Sequence, residues 1–571
     1  RLWMPPLPER FVISELPEFS QHAYCEGRWP EHDSWSLSAP VGLCDDPVNQ
    51  TQIPLYVDFA KDGHLAVCGN ATSGKSTFLQ TLIWSLINMY TPAQLNVYAI
   101  DYSNHMLQAF EEDKHIGGIM YENDTEKTEK FFYMISDILK NRKKTVRGGS
   151  FGQYIRAHGY VMPAIVAVID NYSSFREKTD NKYESIIWEL SRDGAAFGIF
   201  LVISSGGFGS SEIQNKIADN IRNVITLDMG DKLRYIDLLR TSHIDILPEQ
   251  NRKGRGLVTA DGTILEFQTA VCMEADDDYE RSEKIKSACE DMNLHFDGAG
   301  AAPVPEIPEK PTWFSLSENP QFNEALETGD LLPFAYEQKT ASLYSIDLSD
   351  TFCYAISGKS RSGRTETLTV IAAASAQGNG DLCIIDSPDG QLKHFAAKLD
   401  CAYVSSREEL FDFAKELAEI FKTRNRKKRE LLESGAEDAE IYRKMCSERR
   451  KWIFVSDFAS FLETVYKSGE KIGSMAPFFE NILEKGRLHN IYFVFDINTD
   501  ETVSMLRRKL YGTVSGYRTG VHLGGALSNQ KIFDCSSIPY VEQTKVYKPG
   551  VGMAFDADGA TKIVLPSSKG V

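Results

Sequence analysis

Short apolar runs alternate with amphipathic stretches along this chain. The runs "HLAVCG", "LNVYAID", "AIVAVID" and "GIFLVIS" end at Gly69, Asp101, Asp170 and Ser204. Runs of this length, bounded by Gly, Asp or Ser and rich in β-branched residues, predict strands buried on both faces. Between the first two, Phe78, Leu79, Leu82, Ile83, Leu86 and Ile87 recur at helical spacing, so a helix should begin just after Gly74. The second half repeats the order with "FCYAISG", "DLCIID", "WIFVSD" and "NIYFVFD".

The repeat extends to spacing. Counted from Gly69 and Gly358, Asp101 and Asp386 fall 32 and 28 residues on. The two "NRKK" runs, at Asn141 and Asn425, fall 72 and 67 residues on, and Asp170 and Asp457 fall 101 and 99 residues on. Landmarks in this order predict a duplicated α/β domain, each copy a mostly parallel sheet flanked by helices. "HFDGAGAAPVPEIPEKP", His295 to Pro311, has the small residues and prolines of a linker that buries little. The expected organisation is one domain over 1–296, a linker over 297–311 and a second domain over 312–571.

Between the first strand and its helix stands "GNATSGKS", which satisfies the phosphate-loop frame G-x-x-x-x-G-K-[ST]. Glycines let backbone N–H groups turn inward around phosphates, and the following helix adds the positive end of its dipole. Gly69, Asn70, Ala71, Thr72, Ser73 and Gly74, with Lys75, Ser76 and Thr77, are the expected ATP cradle. Lys75 would reach the β- and γ-phosphates, and Ser76 would hold Mg²⁺. Asp170, ending a buried apolar strand, is the expected second Mg²⁺ contact. The residue after it is Asn171, an amide that orients water but accepts a proton poorly. Slow hydrolysis is the expectation, and a base from elsewhere, such as Glu184 or Glu189, has no support in spacing.

The later loop, "GKSRSGRT", keeps Gly358, Gly363 and Thr365 but carries Arg364 where the frame has lysine. A planar guanidinium cannot reproduce the point contact of an ammonium in a tight loop. Thr365 and Asp457 are the expected Mg²⁺ residues there, and Phe458 leaves no adjacent base. Retained binding without turnover, or complete loss of binding, both follow from these residues.

Composition narrows the partners. The net charge is −18, which disfavours DNA unless a basic patch is concentrated somewhere. The ten cysteines include no C-x-x-C pair, so neither a zinc site nor a disulfide framework is expected. No apolar run approaches the ~18 residues of a membrane span. "RLWMPPLPERF" shows neither an initiator Met nor a signal peptide, and reads as a cut inside a longer protein. The "NRKK" runs are expected on solvated helix faces. Arg192 and Arg487 are candidates for fingers acting in trans. The loop Ser204–Ser211, "SSGGFGSS", is a candidate sensor loop or a plain mobile one.

The first half resembles the FtsK/SpoIIIE family of ring-forming P-loop motors through "VGLCDDPVNQTQIPLYVDF", "GNATSGKST", "VYAIDYS", "VAVIDN" and "KGRGLVTADGTILEFQTA". "SGKSRSGRT", "IIDSPDG" and "VSDFASF" carry a thinner likeness in the second half. Within the family the combination is similar to the EssC/EccC group of type VII secretion ATPases. The resemblance implies two tandem RecA-like P-loop domains in the cytoplasm, part of a longer membrane-anchored homo-oligomer such as a hexamer, with an active ATPase domain upstream. It implies contacts with other secretion-machinery subunits. It also implies export of WXG100-type proteins, whose C-terminal signals dock on the terminal, second domain of this chain. On the residues alone a DNA translocase and a non-motor ATP-binding scaffold stay open.

Overall fold

The computed structural model describes residues 5–32 and 34–571; the start of the N-terminal segment, residues 1–4, lies outside the described residues. The chain divides into two units, Arg1–Pro305 and Glu306–Val571. The first contains β1 (Ser38–Asp46), β2 (Thr51–Asp58), β3 (Leu65–Cys68), β4 (Leu95–Asp101), β5 (Ile116–Met120), β6 (Ala164–Asp170), β7 (Ile199–Ser205), β8 (Asn223–Leu227), β9 (Arg255–Ala260) and β10 (Thr263–Thr269). They form one sheet in the order β2-β1-β10-β9-β8-β3-β7-β6-β4-β5.

The second unit contains β11 (Leu331–Glu337), β12 (Leu343–Asp347), β13 (Cys353–Gly358), β14 (Asp381–Ile385), β15 (Ala402–Val404), β16 (Lys451–Val455), β17 (Ile491–Asn498), β18 (Gly520–Leu523), β19 (Val551–Asp556) and β20 (Gly559–Val564). Its order, β12-β11-β20-β19-β18-β13-β17-β16-β14-β15, matches the first strand for strand.

The run from β8 to β5 is parallel, as the apolar runs predict. Its side chains alternate between two packed layers: Leu65 and Val67 of β3 join one core, Ala66 and Cys68 the other. Burial on both faces is why these strands read as continuous apolar runs. The remaining strands, β9, β10, β1 and β2, extend the sheet antiparallel. A two-residue turn at Asp261 and Gly262, both with positive φ, joins β9 to β10, the geometry that suits right-twisted hairpins. Each sheet is therefore mixed, with a parallel half that carries the loop.

The proline-rich stretch is less free than its composition suggests. Ala301 N donates to Lys114 O (2.7 Å), Val304 N to Gly117 O (2.9 Å) and Tyr98 Oη to Ala302 O (2.7 Å). Val304 is buried against the first unit. The expectation that 297–311 buries little is corrected at Val304; Ala302 and Pro303 are exposed. The edge strand β5 offers unpaired backbone groups, and this segment satisfies one of them, Gly117 O.

The expectation of solvated faces for the "NRKK" runs is corrected at Arg142. Arg142 is buried, and its guanidinium donates to the carbonyls of Phe197 (2.9 Å), Gly198 (3.0 Å) and Pro163 (2.6 Å). In the second unit the same role falls to Arg424, two residues before the residue that the motif aligns. Arg424 donates to His489 O (3.0 Å), Asn490 O (2.8 Å) and Arg449 O (2.6 Å). Both arginines lie on long helices, Thr125–Val146 and Arg407–Glu433, and tie down the carbonyls that precede β6 and β7, or β16 and β17. These two arginines are structural clamps at the strand starts, while Lys144, Arg426 and Arg429 are exposed on the same helices. Arg142→Ala should take a donor from three carbonyls, of which Gly198 O keeps Ile165 N, and cost about 3 kcal/mol. Urea denaturation followed by tryptophan fluorescence should show the midpoint falling, and Arg424→Ala should do the same to the second unit.

Candidate functional site

The first loop leaves β3 at Cys68 and enters the helix Lys75–Met89. Three backbone bonds pin it: Gly69 N to Ser205 O (3.2 Å), Asn70 N to Asp228 O (2.9 Å) and Gly254 N to Ser73 O (2.9 Å). Thr72 (φ 65°) and Gly74 (φ 106°) take the left-handed turns that curl the loop. A side chain at Gly74 would also press within 3.0 Å of Gly254 N. Ala71 and Thr72 are exposed at the tip, Thr77 is half-buried in the first helical turn, and Ser73 Oγ is buried with no hydrogen-bond partner.

Lys75 folds over the loop, its Nζ donating to Gly69 O (2.7 Å) and Asn70 O (2.8 Å). Burial lowers its pKa, with Asp170 opposing the shift. Ser76 Oγ donates to Asp170 Oδ2 at 2.7 Å. Asp170 is almost fully buried, and burial raises its pKa against the hydrogen bonds from Ser204 and Ser76. Ser204, next door on β7, donates to the other carboxylate oxygen. Lysine, serine and aspartate thus meet as the motif requires. A loop curled by left-handed turns at the N-terminus of a helix, an orphaned Ser73 hydroxyl and a Ser–Asp pair fit a magnesium triphosphate: the loop and Lys75 suit phosphate oxygens, and Ser76 and Asp170 suit the metal.

Asn171 caps the helix Tyr172–Lys178 in the left-handed region (φ 61°), its side chain donating to Tyr102 O (3.0 Å). It offers no base. Glu184 is engaged by Lys216, Arg176 and Gln214, and Glu189 by Lys143. The carboxylate that does stand beside the loop is Glu212, which the sequence reading does not single out. One of its oxygens accepts from Ser173, Ser205 and Gly206 N. Burial would raise its pKa, but those donors outweigh it and hold the carboxyl below the usual range. Arg234 is a second unanticipated residue, bridging Asn70 Oδ1 and Gly206 O at 2.7 Å each. Both residues come from after the Gly/Ser loop at 204–211, whose place behind a buried strand is the signal available in the sequence. Arg192 pairs with Asp193 and lines a cavity with Gly63 and His64, at the end of β3 away from the loop. Arg487 stands 3.6 Å from Asp438.

The second loop keeps the shape. Gly358 ends β13, Arg361 (φ 62°) matches the turn at Thr72, and Gly363 (φ 93°) opens the helix Arg364–Gln377. The Ser362 hydroxyl is orphaned like that of Ser73. The acids, however, have moved. In the first sheet Ile169 pairs with Ile100 and Ile203, so Asp170 sits between Asp101 and Ser204. In the second, Val455 pairs with Ile385 and Phe495, so Ser456 sits between Asp386 and Asp496.

The counterpart of Asp170 is therefore Ser456, not Asp457, and Asp496 replaces Ser204. Asp457 instead caps its own helix, accepting from Ser460 N (3.1 Å) and Ser460 Oγ (2.6 Å). The equal spacing misleads because segments before this strand differ in length between the copies. Arg364 Nη1 donates to Asp496 Oδ1 at 2.5 Å, and Thr365 hydrogen-bonds the same carboxylate. Burial pushes Asp496 up to about 7 although Arg364 pulls it down.

The sign of the pH effect follows. Between about pH 4 and 7 the folded chain keeps a proton on Asp496 that the unfolded chain has released, so this group favours folding at acid pH and the advantage is lost as pH rises through 7. Asp496→Asn should flatten that slope in pH-dependent urea melts. An unchanged slope would mean the carboxyl titrates elsewhere.

Residues 31–271 match the FtsK/SpoIIIE family model. EssC of the type VII secretion system from Staphylococcus aureus strain MRSA252 is 25% identical over 62% of this chain and 23% of its own length. EccC, an ESX secretion system protein from Thermomonospora curvata, is 29% identical over 65% of this chain and 28% of its own. The chain thus spans about a quarter of these relatives' length. Among solved structures, ATPases 2 and 3 of EssC from Geobacillus thermodenitrificans superpose with a TM-score of 0.75 at 21% identity, covering 99% of this chain and 100% of that one. ATPases 2 and 3 of Thermomonospora curvata EccC, solved with a signal sequence peptide, give 0.57 at 21% identity over 99% and 97%. The first unit thus matches the FtsK/SpoIIIE family model over most of its length, and the chain as a whole has the fold of the tandem ATPases 2 and 3 of EssC and EccC.

Proposed function

We propose that this chain is the ATP-binding portion of a type VII protein-secretion motor. In this reading it works at the cytoplasmic face of the membrane, within a larger homo-oligomeric protein and beside other secretion subunits. The supporting observation is the tandem: one cleft with every phosphate-loop part in contact, followed by a second unit of the same fold, as in ATPases 2 and 3 of EssC. The first cleft takes Mg-ATP. Lys75 leaves its loop carbonyls for the phosphates, Ser76 and Asp170 hold Mg²⁺, and Arg234 braces the loop through Asn70. Bound Mg²⁺ supplies charge neutralisation at the phosphates.

Turnover is slow, because Asn171 cannot take a proton from water and the Glu212 oxygen facing the serines is already occupied. The second unit serves export by docking the C-terminal signal of a secreted WXG100-type protein. The peptide carried by the Thermomonospora curvata relative supports this assignment. A DNA translocase is disfavoured by the net charge of −18.

Lys75→Ala should weaken Mg-ATP binding roughly 10- to 100-fold, the loss of a charge-assisted contact of about 1.5–3 kcal/mol. Asn171→Glu should raise steady-state hydrolysis by about 100-fold, the low end of general-base catalysis. Equal, background hydrolysis in the wild type, Lys75→Ala and Asn171→Glu would favour a scaffold that uses nucleotide only for stability. A signal peptide titrated into the intact chain should bind equally well to the wild type and to Lys75→Ala. No binding to either would remove the docking role.

A further inference from the structure

The residues that a nucleotide needs in the second cleft are already engaged by the chain itself. The guanidinium of Arg364, at the lysine position, is held by buried Asp496 at 2.5 Å. In the first loop Lys75 rests on neutral carbonyls, which a phosphate displaces without separating a charge pair. A loop amide is taken too: Ser360 N donates to Asp500 Oδ2 at 3.2 Å, where an inward amide would meet phosphate oxygen. The acid expected beside Thr365 is the hydroxyl of Ser456, and that hydroxyl donates to Asp386 Oδ1 at 2.7 Å.

The cavity that remains is about 160 Å³, and Asp386, Asp457, Asp496 and Glu501 are among its walls. Ligand pockets usually hold about 300–1,000 Å³. A triphosphate entering here would meet carboxylates and, above about pH 7 where Asp496 is charged, would have to break a buried ion pair whose partner would be left uncompensated.

We propose that the second cleft is shut by the chain's own carboxylates, Asp496 on Arg364 and Asp500 on the loop amide. The chain then binds one Mg-nucleotide, at Gly69–Ser76, rather than two. The single-nucleotide count rests on the Mg-ATP reading of the first cleft; the closure of the second does not. The Arg364–Asp496 contact ties the start of the helix Arg364–Gln377 to β17, as Ser76–Asp170 ties the first unit's helix to β6. The second unit is then rigid at its loop whatever the nucleotide concentration.

Equilibrium dialysis of the full chain against Mg²⁺ and the slowly hydrolysed analogue ATPγS counts sites. The wild-type isotherm should saturate at one nucleotide, and that of Lys75→Ala should show one site whose Kd is weakened roughly 10- to 100-fold, with no binding at the original affinity. On the Lys75→Ala background, Arg364→Lys with Ser456→Asp and Asp496→Ser rebuilds the residue set of the first cleft and should restore one site at the original affinity, with a melting curve confirming that the variant folds. A second site in the wild type, or binding by Lys75→Ala at unshifted affinity, would overturn the proposal, since it would place a ligand in the second cleft. A folded triple variant that gains nothing would overturn it as well. A wild type that holds none while the rebuilt variant holds one would support the closed cleft and refute the Mg-ATP reading of the first.

Discussion

The hydrogen bond from Ser76 Oγ to Asp170 Oδ2 joins residues 94 positions apart, and the chemistry of the first cleft is arranged around it. It exists because β7 separates β3 from β6, so the helix that follows β3 begins level with the end of β6. Burial works against a charged Asp170, and the hydroxyls of Ser76 and Ser204 are what keep the carboxylate acceptable there. Lys75 is oriented by the same helical turn, and Asn171 is turned away by the cap that follows the same strand. A change in strand order would disperse all of these groups at once.

The duplicate shows which parts of this design are structural and which are chemical. Strand order, the left-handed loop turns and the clamps made by Arg142 and Arg424 persist in both copies. They satisfy backbone groups that would otherwise be buried without partners, a cost present whether or not nucleotide binds. The acid is different. Moving it by one strand, from the Asp170 position to that of Ser204, leaves the packing almost unchanged while reversing the electrostatics of the loop. A buried carboxylate beside a phosphate lysine position demands a cation, and Arg364 supplies it. Seen this way, Arg364 and Asp496 are one feature with two residues, and the departure from lysine is half of a compensated pair.

Much of this was readable in the chain itself. The eight central strands, the first loop with Lys75 and Ser76, and the partnership with Asp170 follow from apolar runs, glycine positions and an intact motif. These are local patterns, because a strand buried on both faces and a phosphate-binding turn must each be built from consecutive residues. The likeness to a tandem secretion ATPase also rests on such local stretches. The antiparallel strands were harder to read, since half-buried strands such as β10 alternate weakly and resemble loop.

What only the tertiary structure decided concerns residues that meet across strands. Glu212 and Arg234 reach the first loop from segments with no motif of their own. Ser456 rather than Asp457 lies opposite Asp386 and Asp496, a matter of hydrogen-bond register that residue counting cannot resolve when the intervening segments differ in length. Arg424 rather than Arg426 is the clamp for the same reason. The sequence by itself determined that two phosphate-loop domains stand in tandem. Which carboxylates face which cations was settled by strand pairing, because a shift of one residue or one strand moves a charge from metal ligand to ion-pair partner.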